Sequence, residues 1–165
     1  MKTIQDIVEY IKIVHAGQVD KAGVDYWLHP YTVSKFAAEL CDAFGIVYDK
    51  FSIIKCALLH DVLEDCDIDI DKFVQDCELT DDELAALKLL NHAKGTSYST
   101  YISKVSTSLI ASIVKIADLK HNMDITRFAG IRELTDIDLK RLNKYLYHYD
   151  YLLKQLNNVK LNKIL

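Results

Sequence analysis

Turn-forming residues are nearly absent from this chain. Pro30 is its only proline, and five glycines are spread over 165 residues. A many-stranded sandwich or barrel needs such residues at every hairpin, so their scarcity argues for helices. No apolar run reaches about 18 residues, and no membrane span is expected. An excess of positive charge is also missing. The formal net charge of −4 gives no global pull toward nucleic acid or anionic membranes, though a local basic pocket can still hold phosphate. The four cysteines (Cys41, Cys56, Cys66, Cys77) lack any short paired spacing. Cys41 and Cys56 sit in apolar patterns and read as small core residues, while Cys66 reads as a bystander. The opening residues have no signal-peptide character, so the default location is reducing and cytoplasmic.

What is present is half apolar, 50% of residues, enough for a sizeable core in one domain spanning 1–165. Thr3 to His15 places Ile4, Ile7, Val8, Ile11 and Val14 on one helical face. Ala16 to His29 reads as a loop. Pro30 is suited to be a first helical residue, and its helix runs to about Phe44 with Gly45 as a stop. A third helix begins at Asp49 or Lys50 and carries His60 and Asp61 at its end. Asp67 to Asp76 is acidic, with a short amphipathic turn around Ile70, Phe73 and Val74. Thr80-Asp81-Asp82-Glu83 has the form of a capping box and starts a helix through about Asn91. Ala93 to Ser99 reads as a mobile loop, followed by helices near Thr100–Ser106 and Ser108–Asn122. Thr135 to Asn157 is one long amphipathic helix. Its face of Tyr145, Leu146, Tyr149, Leu152 and Leu153 either packs on the core or forms a homodimer seam.

The chemistry concentrates in His60-Asp61-Val62-Leu63-Glu64-Asp65, four ionisable groups closing the apolar run 51–59. Burying an unpaired carboxylate costs several kcal/mol or forces it to take up a proton, so such a cluster needs a partner. On a helix, residues three and four apart share a face, which lets all four groups line one wall. A divalent metal is one answer; a solvated helix end is the other. Two ligands do not hold a metal tightly. Asp118, a carboxylate in the apolar run Ile113–Leu119, is a further candidate, and its alternative is a buried salt bridge. His29, just before Pro30, is another, and alone it reads equally as a capping histidine. His29, His60, Asp61 and Asp118 together make a two-imidazole, two-carboxylate set that suits manganese, iron or zinc.

The order His…His-Asp…Asp resembles that of the HD superfamily of metal-dependent phosphohydrolases. The nearer resemblance is to the hydrolase domain of RelA/SpoT-type alarmone enzymes and their small stand-alone relatives. It rests on His15–Gln18 through Asp25–Pro30, on His60–Asp65, and on Val114–Met123. It implies an all-α, single-domain HD-type bundle with His29, His60, Asp61 and Asp118 on one Mn2+. It further implies that Glu64 and Asp65 position or deprotonate the attacking water, and that Asn122, Lys21 and Lys115 lie near substrate. His15 would line the pocket or pack beneath it. Tyr98, beside Gly95, can cover a nucleobase or pack against the next helix. Asn122 also reads as a helix C-cap and Lys21 as a solvated loop charge. The chain ends at Leu165, so the synthetase domain of the long family members is not expected.

Two positions depart from the family pattern. Asp20 stands where these hydrolases commonly carry Arg before the Lys, and Leu119 replaces the basic residue that often follows the last metal Asp. Both predict a less basic pocket. The expected function is metal-assisted hydrolysis of a nucleotide, with 3′-pyrophosphate removal from (p)ppGpp leading. A phosphatase or pyrophosphatase for another nucleotide, or a non-catalytic nucleotide-binding HD module, remain the alternatives.

Overall fold

The computed structural model describes residues 2–47 and 49–162, with side chains as far as Asn158. Among them the regular structure is helical, save one isolated antiparallel bridge between Val19 and Asp25. In chain order the helices are α1 Ile4–Val14, α2 Leu28–Phe44, α3 Lys50–Leu59, α4 Val62–Asp65, α5 Ile70–Cys77, α6 Asp81–Leu90, α7 Tyr98–Val105, α8 Leu109–Asn122 and α9 Asp136–Asn162. A 3-10 turn at Ile125–Phe128 precedes α9.

The centre is α2, α3 and α8, each packed on the other two. Both α3 and α8 bury more than one face: Ile53, Cys56, Ala57, Leu58 and Leu59 on the first, Ile113, Val114, Ile116, Ala117 and Leu119 on the second, are all fully buried. A helix apolar nearly all round belongs in a core, and each of the buried Ile, Leu and Val side chains contributes about 1.5–3 kcal/mol on burial. α1 covers α3, α6 packs on α8 and α3, and α9 lies across α8. Leu152 of α9 is fully buried, while Leu146 and Tyr147 are exposed, so most of the expected α9 face packs on the core. The ends obey local chemistry. Thr3 with Asp6 and Thr80 with Glu83 form capping boxes, and Gly45 closes α2 in the left-handed region at φ 69°.

Four boundaries differ from the sequence expectation. α2 starts two residues early, because the N–H groups of Leu28 and His29 bond back to Asp25 and Tyr26. His29 thus lies in the first turn, where Pro30 removes only a donor that would go unpaired anyway. α3 stops at Leu59; His60 and Asp61 form a turn, and α4 starts anew with Asp61 O accepting from Glu64 and Asp65 N–H. The one continuous wall expected over His60–Asp65 is therefore two elements. The turn around Phe73 is a full helix, α5, capped by Asp69. Ser97 caps α7, so Tyr98 is its first residue rather than part of a loop.

Among the described residues no helix is long and apolar enough to cross a membrane. All four cysteines are free thiols.

Candidate metal centre and its cleft

Three central elements deliver the four expected ligands to one point. His29 comes from the first turn of α2, His60 and Asp61 from the turn after α3, and Asp118 from the last turns of α8. His29 Nε2 lies 3.4 Å from Asp61 Oδ2 and 3.2 Å from Asp118 Oδ1. His60 Nε2 lies 3.1 Å and 3.6 Å from the same two oxygens. Atoms bonded at about 2.0–2.2 Å to one ion sit about 3 Å from one another, which is the spacing found. Ligand atoms of His29, His60 and Asp61 all fall within 4.8 Å.

The donor set passes a stricter test. His60 is 3% exposed, and its Nδ1–H donates to the Ala57 carbonyl at 2.8 Å. That leaves the lone pair on Nε2, and this enclosed nitrogen has no hydrogen-bond partner. A buried polar atom without a partner costs about 1–3 kcal/mol unless something else occupies it. A tautomer fixed through Nδ1 with Nε2 free is how a metal-ligating imidazole is arranged. The carboxylates are oriented too. Tyr26 Oη donates to Asp61 Oδ2 at 2.7 Å, Lys115 Nζ to Asp118 Oδ2 at 2.8 Å, and Asn122 Nδ2 to Asp118 Oδ1 at 2.5 Å.

Without an ion the four groups titrate as a coupled unit. Burial works against the charged form of His60, yet the Asp61 and Asp118 carboxylates raise its pKa to about 10. His29 is raised against burial by the same two acids. Burial would raise Asp118, but Lys115 and the two histidines hold it well below the usual carboxylate range; His60 and His29 do the same for Asp61. A cation can replace those imidazolium protons, so binding one releases protons.

The centre opens into a cleft of about 570 Å3. Its walls include every other expected site residue: Glu64, Asp65, Lys21, Lys115, Asn122 and Tyr98. Glu64 and Asp65 are exposed on α4, with the His92 N–H 3.4 Å from Glu64 Oε2. Burial, with Asp61 beside it, raises the Asp65 pKa. Lys115 is engaged with Asp118 and lies over the Tyr101 ring. Tyr98 is no free lid: its ring packs against His92, Tyr101, Tyr145 and His148, with Lys144 above it. Tyr101 is buried and donates to Leu90 O. His15 packs beneath the wall, fully buried against the Tyr26 ring and bonded to Gln18.

Several cleft residues escaped the sequence reading. Arg127, Arg141 and Lys144 also line it. Burial and the Arg141 guanidinium pull the Lys21 ammonium below its ordinary value, and Lys144 is lowered in the same way. The two departures prove unequal. Leu119 is fully buried in the core and does not line the cleft, so no cation enters the cleft from this position. Asp20 does reach the cleft, where it pairs with Arg127 from the 3-10 turn. His121, quoted in the motif without a role, places its Nδ1 2.6 Å from that of His29. Burial, His29 and Arg127 lower its pKa to about 4.

No family model matches the chain. It is 30% identical over 134 residues to a guanosine-3′,5′-bis(diphosphate) 3′-pyrophosphohydrolase of Borreliella burgdorferi, covering 74% of this chain and 19% of that protein. It is 29% identical over 118 residues to the protein of the same name from Vibrio cholerae, covering 66% and 16%. The chain thus spans less than a fifth of the curated relatives it matches. A solved structure described as a metazoan ortholog of SpoT that hydrolyzes ppGpp superposes with a TM-score of 0.66 at 20% identity, over 98% of this chain and 92% of that one. By sequence and by fold, this chain is an HD-type, RelA/SpoT hydrolase-like domain.

Proposed function

We propose that residues 1–165 form one HD-type domain that hydrolyses a nucleotide with the help of a divalent transition metal. The leading substrate is guanosine-3′,5′-bis(diphosphate), losing its 3′-pyrophosphate. The observation that carries this reading is the meeting of two imidazole nitrogens and two carboxylates at one end of a cleft whose lining also includes Lys21, Arg127, Arg141 and Lys144. His29, His60, Asp61 and Asp118 would hold the ion, with Mn2+ proposed for this mixed nitrogen and oxygen set. When bound, such an ion polarises a phosphoryl oxygen and makes a bound water more acidic.

The chain's own residues do the rest. Asp65 and Glu64, on the wall beside Asp61, are the proposed bases for the attacking water. The raised pKa of Asp65 brings it closer to the range in which a base works at neutral pH. Burial and the Arg141 guanidinium both lower the pKa values of Lys21 and Lys144; Asp138, 3.7 Å from Arg141, offsets this only in part at Lys21, and the cluster still calls for an anion. A pyrophosphate or ribose phosphate fits that need, and charge neutralisation is what phosphoryl transfer chiefly requires. Tyr98 and Asn122 complete the substrate wall. The names of the two relatives favour the guanosine tetraphosphate over other nucleotides. Free thiols agree with a reducing, cytoplasmic setting.

The test is a nucleotide panel with added Mn2+, read by pyrophosphate and phosphate release, for the native chain and Glu64→Gln. Pyrophosphate from ppGpp, lost in the variant, is the expected result. Turnover confined to other nucleotides would replace the substrate. Tight nucleotide binding with no turnover, unchanged in His60→Ala, would replace the enzyme with a binding module.

A further inference from the structure

We infer that His121 is a positioning residue for the metal centre: it accepts the hydrogen bond that keeps the His29 proton on Nδ1 and the His29 Nε2 lone pair turned toward the ion. This rests on the metal-centre reading above. The two Nδ1 atoms are 2.6 Å apart, so one must carry the hydrogen and the other a lone pair. Arg127 decides which. Its Nη1 lies 3.5 Å from His121 Nδ1 and donates to the His121 carbonyl at 3.4 Å. A guanidinium edge aimed at that nitrogen disfavours a hydrogen on it, so His121 is the acceptor and His29 the donor. A neutral imidazole that donates through Nδ1 carries its lone pair on Nε2, the atom of His29 that faces Asp61 and Asp118.

The arrangement reaches further out. Arg127 is held by Asp20, and the Asp20 carboxylate accepts the N–H groups of Ala22 and Val24. The loop residue that departs from the family pattern is therefore the outer end of a contact chain, Asp20 to Arg127 to His121 to His29. The two imidazole ligands differ in this respect. His60 takes its tautomer from a backbone carbonyl. His29 takes its tautomer from a side chain, with the two rings stacked at 4.8 Å, and substitution can remove that support.

The experiment is calorimetric titration of Mn2+ into the metal-stripped full chain carrying His121→Ala, His121→Phe or His121→Asn. Phe keeps a ring without an acceptor; Asn keeps an acceptor oxygen without the ring. We expect Ala and Phe to weaken Mn2+ affinity about 10–100-fold, as losing an outer-shell partner does, and Asn to recover most of it. Melting curves of the metal-free variants show which of them fold, and the Phe and Asn pair carries the test if Ala does not. A Phe variant that binds Mn2+ like the native chain, or an Asn variant no better than Phe, overturns the assignment. Native chain that takes up no Mn2+ overturns the metal centre and this inference with it. Normal native uptake with indifferent variants overturns this inference alone.

Discussion

Lys55 and Glu83 form an ion pair inside the protein, and removing one partner should cost more than removing both. The two residues are 4% and 2% exposed and meet at 2.9 Å. Lys55 Nζ also donates to the Glu78 carbonyl at 2.7 Å, and Glu83 Oε2 also accepts the Thr80 N–H at 2.9 Å. Lys55→Met keeps the aliphatic stem and deletes the charge. Glu83 is then a buried carboxylate with one remaining donor, and breaking such a pair costs about 3–5 kcal/mol. That is a large share of a typical total stability of about 5–15 kcal/mol. In Lys55→Met/Glu83→Leu no uncompensated charge remains, and the residual loss is the capping box, about 1 kcal/mol. Urea unfolding of the metal-free chain at pH 7 measures both, with a constant denaturant slope as the check on two-state behaviour. A loss under about 1 kcal/mol for Lys55→Met, or a double variant as costly as the singles summed, would refute the reasoning. α3 carries this pair at its middle and hands the chain to His60 at its end. The substitution should therefore lower stability while leaving the Mn2+ affinity of the folded fraction unchanged.

Three further outcomes are expected. Mn2+ at about a hundred times its dissociation constant should stabilise the chain by about 2.7 kcal/mol, several degrees in a thermal melt; His60→Ala and Asp118→Asn should lose that shift, and its survival in either would count against the ligand set. Glu64→Gln should lower kcat by about 100-fold or more while Mn2+ still binds, since a positioned base contributes about that much; native turnover in this variant would remove Glu64 from the proton path. Burial would raise the Asp20 pKa, but the Val24 and Ala22 N–H groups and Arg127 outweigh it and hold the carboxyl below its ordinary 3.8. A depressed folded-state pKa means stability that is present above the unfolded value and lost as pH falls through the folded one. Asp20→Asn should therefore differ from native by a constant melting-temperature offset at neutral pH that shrinks below about pH 4, and an offset that does not change with pH would sink this assignment.

Helix existence was legible because apolar spacing is a direct imprint of burial: Ile7, Val8 and Ile11, or Leu87 and Leu90, fall where the period puts them. Helix ends were less so. The break after Leu59 lies inside a run that continues a helical pattern through Leu63. What ends α3 there is the backbone turn that presents His60 and Asp61, and side-chain type alone does not reveal it. The start of α2 at Leu28 depends on backbone bonds to Asp25 and Tyr26, which no residue identity specifies. The same limit applies to the orientation of Leu119. Spacing places it one residue after Asp118, but only the packing of α8 shows that this step turns a side chain from the cleft into the core.

The two halves of the cleft differed in legibility for a chemical reason. A metal centre admits few residue types, and each must bring a donor atom to within about 3 Å of the others. His29, His60-Asp61 and Asp118 could therefore be picked out of an apolar background. Phosphate asks only for positive charge, which any long basic side chain can extend from several positions along an exposed helix. Arg127, Arg141 and Lys144 belong to a late, charge-rich segment that reads as an ordinary solvated surface. Arg141 and Lys144 become part of a site because α9 lies back across α8 and brings them over the cleft, and Arg127 because the 3-10 turn before α9 places it there. It follows that metal binding and substrate choice should separate under mutation. Changes at Arg141 or Lys144 should raise KM for an anionic substrate while leaving Mn2+ affinity intact. Arg127, which touches both Asp20 and His121, is the one cation of this group whose loss should register in both measurements.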